Sequence, residues 1–250
     1  MKILVLSDVH SNKYALDTIL KHARKIDYTI FLGDAVDYGP HPAEVIDILR
    51  ENVDIWIMGN HDNAVAFNVD CKCGQELHDL SVYTRENITL KLISDDQKKF
   101  LQNLPIRKEI EIEGKTFYLV HGSPRDPLYG YVFPEVDEQA LLKNMFMKTI
   151  AGETRVSADF VLLGHTHKPM IRRIGETKIL NPGSVGQPRD GDPRASFAII
   201  DLDANSSEII RLTYPVDKLI QDLDTYSELL NIEKKVLEKL KSIFKTGRIH

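Results

Sequence analysis

The chain has 250 residues, 42% of them hydrophobic and 28% charged, enough to bury a sizeable core as one large domain or two modest ones. That composition excludes collagen-like and wholly disordered chains. The formal net charge is −5 and the lysines and arginines are scattered rather than gathered in a stripe, which disfavours phosphate-driven binding of long nucleic acid.

The opening run MKILVLSDVH reaches an aspartate at position 8, and no later stretch is apolar for long enough, so neither a signal peptide nor a membrane span is expected. Short runs of branched apolar residues then recur in chain order. Ile3 to Leu6, Thr29 to Leu32, Asp54 to Met58, Thr116 to Val120, Phe160 to Leu163 and Lys178 to Leu180 each stop near Gly, Ser, His or Asn, as buried strands do. Helical patterns occupy Tyr14 to Ile26 and Ala43 to Arg50, the second preceded by Pro42, which suits a first helical position. A strand-helix-strand-helix-strand opening implies a parallel sheet. Further strands, Ile106 to Ile112, Ser196 to Leu202 and Glu208 to Thr213, come with tight turns at Glu113-Gly114 and Asp203 to Ser206 and imply antiparallel additions, hence mixed sheets.

Two stretches interrupt this rhythm and are expected to lie as insertions over the sheet ends. Residues 63–104 are predicted as two helices, and residues 128–157 as one helix from about Asp137 onward. After Pro215 the apolar positions Val216, Leu219, Leu223, Tyr226, Leu230, Leu237, Leu240 and Phe244 alternate by three and four, broken at Glu233. The expected organisation is a single domain over 1–214 with a helical extension over 215–250 packed on it; self-association through that helical stripe, giving a homo-oligomer, is the alternative use of it.

Ligands of open sheets gather beyond the carboxyl ends of strands, and every polar signature here stands at such an end. Strand one delivers Ser7-Asp8-Val9-His10, strand two Gly33-Asp34, strand three Gly59-Asn60-His61-Asp62, and later strands His121-Gly122 and Gly164-His165-Thr166-His167. Asp-x-His alone arises readily by chance, but five such signatures in order, each closing a strand-like run, do not. In this arrangement the chain resembles the calcineurin-like metallophosphoesterase superfamily, with the resemblance covering roughly Met1 to Leu202.

The residues support a metal site independently. Imidazole, carboxylate and amide oxygen together suit Mn, Fe, Ni, Co or Zn better than Mg or Ca. Residues i and i+2 of an extended segment point the same way, so Asp8 with His10 and His165 with His167 can each present paired ligands. The resemblance implies more: Asp8, His10 and His167 on one ion, Asn60, His121 and His165 on the other, and Asp34 between them. It also implies a four-layer αββα sandwich of the α/β class with two mixed β-sheets, and two divalent transition-metal ions, manganese foremost. Such ions stand about 3.5–4 Å apart, and the water held between them is acidified to a nucleophile. His61, beside Asn60 but not itself a ligand, is the candidate acid for the leaving alkoxide, with Asp62 as its orienting partner.

Other residues carry competing structural readings. Asp37-Tyr38-Gly39-Pro40 is either a wall of the metal pocket or, as chiefly read, a turn. Asn181-Pro182-Gly183-Ser184 is either a tight turn or an approach to substrate. Arg125 foremost, then Arg189 and Arg194, are candidate phosphate clamps against the alternative of surface arginines. Cys71 and Cys73 with His78 lack the spacing of a zinc site and are read as reduced structural thiols, in keeping with a reducing cytoplasm. The expected function is hydrolysis of a small phosphodiester or phosphomonoester, that is, a phosphodiesterase or phosphatase. The rivals are a nuclease or nucleotide hydrolase with a nucleotide-like substrate, and a metal-binding scaffold without turnover.

Overall fold

A computed structural model describes residues 1–150 and 152–249. Its frame is two five-stranded mixed sheets. The first is built from β1 (Lys2–Leu6), β2 (Tyr28–Phe31) and β3 (Ile55–Trp56), all parallel, joined to β11 (Ala195–Asp201) and β12 (Ser206–Leu212), in the order β12-β11-β1-β2-β3. The second orders β4 (Arg107–Ile112), β5 (Lys115–Val120), β8 (Phe160–Leu162), β10 (Thr177–Asn181) and β9 (Met170–Ile174) as β4-β5-β8-β10-β9. In the second sheet parallel pairs occupy the middle with antiparallel hairpins at both edges, whereas the first runs from an antiparallel edge at β12 to a parallel edge at β3, as tight turns and crossover helices respectively require.

Alternation of side chains across the strands separates the cores. Ile3, Val5, Ile30 and Ile57 of the first sheet meet Phe117, Leu119, Leu162 and Leu180 of the second in one buried layer. The opposite face of the first sheet, with Leu4, Leu6 and Phe31, packs on α1 (Lys13–His22), α2 (Pro42–Asn52) and the C-terminal pair α8 (Val216–Leu230) and α9 (Lys234–Thr246). The opposite face of the second sheet, with Tyr118, Val161 and Ile179, packs on α7 (Glu138–Asn144) and its flanks. The result is the α/β architecture of two mixed sheets flanked by helices.

Local chemistry sets the helix ends. Asn12 caps α1 by accepting from the Ala15 amide, and Pro42 opens α2 where its missing N–H is not needed. Ser94 and Gln97 form a reciprocal capping box on α6 (Asp95–Gln102). Between α8 and α9 the chain turns at Asn231 in the left-handed conformation, and the stripe residues Leu219, Leu223, Leu240 and Phe244 are buried on this chain's own body.

Two predicted segments differ from the structure, and one strand is additional. Residues 63–104 hold more helix than two: α3 (Asn60–Phe67), α4 (Gln75–Thr84), a π turn at Arg85–Thr89 running into α5 (Leu90–Leu92), and α6. The extra breaks come at Asn68, which is left-handed, and at the π turn, neither of which the apolar spacing registers. Residues 128–157 contain α7, but the chain then forms a hairpin of β6 (Phe146–Thr149) and β7 (Gly152–Arg155), where β-branched Thr149 and Thr154 and Gly152 at φ +121° disfavour helix. Strand β9 was not anticipated, because Arg172 and Arg173 hide its alternation at an exposed sheet edge. No helix of the described residues is long and apolar enough to cross a membrane.

Leu162 is fully buried between the sheets, so Leu162→Ala should cost about 2–5 kcal/mol in urea unfolding. Leu229→Ala, at an exposed position, should stay within about 0.5 kcal/mol of the parent.

Candidate metal centre

The loops leaving β1, β2, β3, β5, β8 and β10 meet at the carboxyl ends of both sheets and are bonded to one another through the backbone. The Asp8 amide donates to Gly33 O, His10 to Asp34 O, Gly164 to His121 O and Gly186 to Asp8 O. Gly59 is needed where two of these loops touch, since a Cβ there would stand 2.1 Å from Asp34 Oδ1. Asp8, His10, Asp34, His165 and His167 all adopt positive φ between 46° and 66°, which turns each side chain inward at a cost in backbone strain.

Two buried clusters result. Asp8, His10, Asp34 and His167 form one, and Asp34, His121 and His165 the other, so Asp34 is common to both. Asn60 lies with the second, its Oδ1 3.0 Å from His121 Nε2. All seven candidate ligands are therefore brought to one place.

The hydrogen-bond directions decide what fits between them. His10 Nδ1 contacts Val36 O, His121 Nδ1 contacts Leu32 O and His167 Nδ1 contacts Gln187 O, so each Nδ1 carries a proton and each Nε2 points inward, as a lone pair in neutral His10 and His167 and as the site of the second, exchangeable proton in His121. The Nε2 atoms of His10 and His167 nevertheless face one another at 3.2 Å. Asn60 donates its Nδ2 to Cys71 O, which leaves Oδ1, an acceptor, aimed at His121. Asp8 Oδ1, Asp34 Oδ2 and His165 Nε2 are buried without any hydrogen-bond partner. Acceptors converge on acceptors, an arrangement that a cation satisfies and apolar burial does not. The donor set of imidazole, carboxylate and amide oxygen suits divalent transition metals.

Asp34 is fixed for a shared role. Its Oδ1 accepts from the His61 amide at 2.8 Å, which leaves Oδ2 3.2 Å from His121 Nε2 and 3.7 Å from His10 Nε2, between the two groups. Electrostatics follow the same geometry. Burial raises the Asp34 and Asp8 carboxyls, but the neighbouring imidazoles outweigh it and hold both below the ordinary aspartate range. Burial holds His10 and His165 well below the ordinary histidine range, and burial aided by the Arg189 charge lowers His167. His121 goes the other way: burial opposes its charge, but Asp34 outweighs burial and brings it to about 9.

His61 lies beside the clusters, its ring 5.0 Å from that of His10. Its orienting partner is Asp37, whose Oδ2 is 2.8 Å from His61 Nδ1, and not Asp62. Asp62 points back along α3 and accepts from the amides of Asp34, Ala35 and Gly59 at 2.9, 2.9 and 3.1 Å, so it holds the two ligand loops together. Asp37 is held in turn by Thr89 Oγ1 at 2.9 Å, a contact supplied by the π turn. Burial lowers His61, but Asp34 and the Asp37 hydrogen bond prevail and raise it to about 9.

The remaining candidates are placed as follows. Arg125 pairs through Nη2 with Glu153 of the β6–β7 hairpin at 2.7 Å, which neutralises its charge. Arg194 pairs with Asp192. Arg189 instead leans over the centre, its guanidinium 5.7 Å from the Tyr38 ring and bonded to Gln187, the residue whose carbonyl holds His167. Ser184 is buried and donates to Asp8 O, and Asn181 donates to Gly164 O, so this turn braces the ligand loops and does not face substrate. His78 is half-buried against Asp70, apart from Cys71 and Cys73, whose thiols lie 2.7 Å apart beside His61. Tyr131 is the site residue that sequence reasoning missed, being remote from the ligand motifs. For Asp37 and Tyr38, three and four residues past Asp34, the sequence admits a wall of the pocket but favours a turn, and the structure places them at the site.

Residues 1–205 match the calcineurin-like phosphoesterase superfamily domain, and the chain belongs to that superfamily. An uncharacterized protein of Methanocaldococcus jannaschii is 30% identical over 88% of this chain and 91% of its own length. The Escherichia coli phosphodiesterase YfcE is 25% identical over 82% of this chain and 90% of its own. The crystal structure of a metallophosphoesterase from Sphaerobacter thermophilus superposes with a TM-score of 0.77 at 29% identity, covering 99% of both chains.

At neutral pH the His121 proton occupies the direction a cation needs, so metal uptake should release it. Calorimetric titration of Mn2+ in buffers of different ionisation enthalpy should show net proton release at pH 7.5, with apparent affinity rising towards pH 9. Uptake without release would place the proton elsewhere.

Proposed function

We propose that this centre binds two divalent metal ions and hydrolyses a small phosphodiester or phosphomonoester. The observation that carries the reading is the convergence of lone pairs on Asp34 Oδ2, with a complete set of imidazole, carboxylate and amide donors around it. Asp8, His10 and His167 would hold one ion, Asn60, His121 and His165 the other, and Asp34 both. When bound, the pair supplies Lewis-acid polarisation of the phosphoryl oxygens and a water acidified for in-line attack. Manganese is the preferred occupant, with Fe, Ni, Co and Zn as the alternatives that the donor set admits.

The chain's own residues supply orientation and a proton. With Nδ1 held by Asp37, the imidazolium of His61 offers its Nε2 proton to the leaving oxygen as the P–O bond breaks and the electron pair departs with that oxygen. Its charge is favoured by the Asp37 hydrogen bond, which supports the acid form in the neutral range. Asp62 keeps the Asp34 and Asn60 loops in register by accepting from amides on both sides. Arg189, and not Arg125, is the cation placed to meet the non-bridging phosphate charge.

Diester cleavage is favoured by likeness to a relative named a phosphodiesterase. The free thiols Cys71 and Cys73 favour a reducing compartment, the cytoplasm.

The direct test strips the protein of metal and assays phosphodiesters, phosphomonoesters and nucleotides after restoring Mn, Ni, Co or Zn separately. Hydrolysis should return with at least one of these ions, with Mn the most effective. Full metal occupancy without turnover of any ester would defeat the reading. His61→Asn should lower kcat by about 10²–10⁴ while retaining both metals. An acid is effective below its pKa and lost above it, so parent activity should fall as pH rises through the His61 value, and that alkaline limb should vanish in the variant.

A further inference from the structure

Among the described residues three groups of His, Cys and Asp side chains could hold an ion. Two are the halves of the centre around Asp34, and the third is His61 with Cys71 and Cys73, whose thiols that centre does not use. We infer that these three residues form a separate site for a soft divalent ion, of the Zn2+ and Cd2+ class, adjoining the centre around Asp34. The sequence offered His78 as the partner of the two cysteines, but the structure turns His78 to Asp70 and brings His61 in its place. The site stands on its own geometry, and only its effect on turnover rests on the phosphoesterase reading.

The donor set points to the ion. Thiolate sulfur selects zinc and softer ions over manganese, and two thiolates with one imidazole leave a fourth position open for water. One ligand atom from each residue lies within 4.8 Å of the others, and all three residues are buried. The two sulfurs are 2.7 Å apart. An ion holding both at about 2.3 Å would part them to roughly 3.7 Å, a change within reach of small side-chain rotations. Plain core packing explains the thiols poorly, because the apolar cluster that contains them holds otherwise only Ala64.

The loop is built to present both sulfurs. Lys72, between them, is left-handed at φ +49°, with its amide donating to Asp70 Oδ1 at 2.8 Å, and Cys71 O is held by Asn60 Nδ2 at 2.9 Å. The Cys73 amide donates to Cys71 Sγ at 3.4 Å, and Ser81 Oγ lies 3.1 Å from that sulfur and 3.5 Å from His61 Nδ1. Such outer partners orient ligands in metal sites. Entry is provided by Gly74, which follows Cys73 and lines a cleft of about 550 Å³.

Occupancy has a consequence for the neighbouring centre. As the ion binds, each thiol and the ring nitrogen that meets it release a proton to solvent, and His61 is drawn from Asp37, now 2.8 Å from its Nδ1. The ion thereby withdraws the residue that serves the leaving oxygen, and the site is inhibitory.

The test titrates Cd2+ anaerobically into metal-free, fully reduced protein and reads thiolate-to-cadmium charge-transfer absorbance, a signal that the oxygen and nitrogen ligands around Asp34 do not give. The absorbance should correspond to one ion on two sulfurs, and both thiols should become resistant to alkylation. Cys71→Ser and Cys73→Ser should each lose most of the band. His61→Asn keeps both sulfurs and should raise the half-saturating Cd2+ concentration at least about tenfold. Absence of the band in the parent, or the same half-saturation in His61→Asn, would overturn the inference.

Hydrolysis by the Mn2+-loaded protein should fall as Cd2+ reaches the concentration that saturates the band, and this inhibition should be absent from Cys73→Ser. Equal inhibition of the two would overturn the inhibitory role. A protein that shows the band but turns over no ester keeps this site and loses the phosphoesterase reading.

Discussion

The buried carboxylate of Asp34 is the constraint around which the structure is arranged. One of its oxygens is committed to the His61 amide, and the other is left unpaired among imidazole nitrogens that are themselves acceptors. A protein interior does not tolerate such a set for packing alone, because each unpaired acceptor carries the full desolvation penalty of its group. The arrangement is suited to contain a positive charge at its middle. In its absence a proton on His121 provides part of that charge.

Everything near Asp34 serves to hold that container open. Strands from two sheets end at the same level, and their loops exchange backbone hydrogen bonds before any side chain is considered. Asp62, Asn181 and Ser184 form a second layer that touches backbone and not substrate. Such outer partners orient first ligands and are as necessary to a metal site as the ligands themselves. Cys71 belongs to this layer through its carbonyl, which turns the Asn60 amide so that oxygen faces inward.

Much of this was legible in the sequence, and the boundary is physical. Ligands such as Asp8, His10, His165 and His167 announce themselves because they follow strands at short spacing, although left-handed backbone, and not the two-residue periodicity of an extended chain, sets their direction. The mixed sheets were legible from runs too short for helix and turns too tight for crossovers. What escaped was contact between distant segments. Asp37 meets His61 across 24 residues and Thr89 across 52, and no local pattern distinguishes that aspartate from a turn former. The sequence ranked Arg125 ahead of Arg189. In the structure Glu153, on a hairpin that periodicity read as helix, pairs with the first, while the second faces the centre.

The left-handed backbone at Asp8, His10, Ser11, Asp34, Asp37, Tyr38, His165 and His167 has a consequence for how this fold can change. Each such residue carries a conformational penalty of about 1 kcal/mol that glycine would relieve. Glycine, however, has nothing to offer a cation. The centre is thus the part of the molecule where thermodynamic ease and chemical competence pull in opposite directions, and a descendant freed from its chemistry would gain robustness by shedding these side chains first.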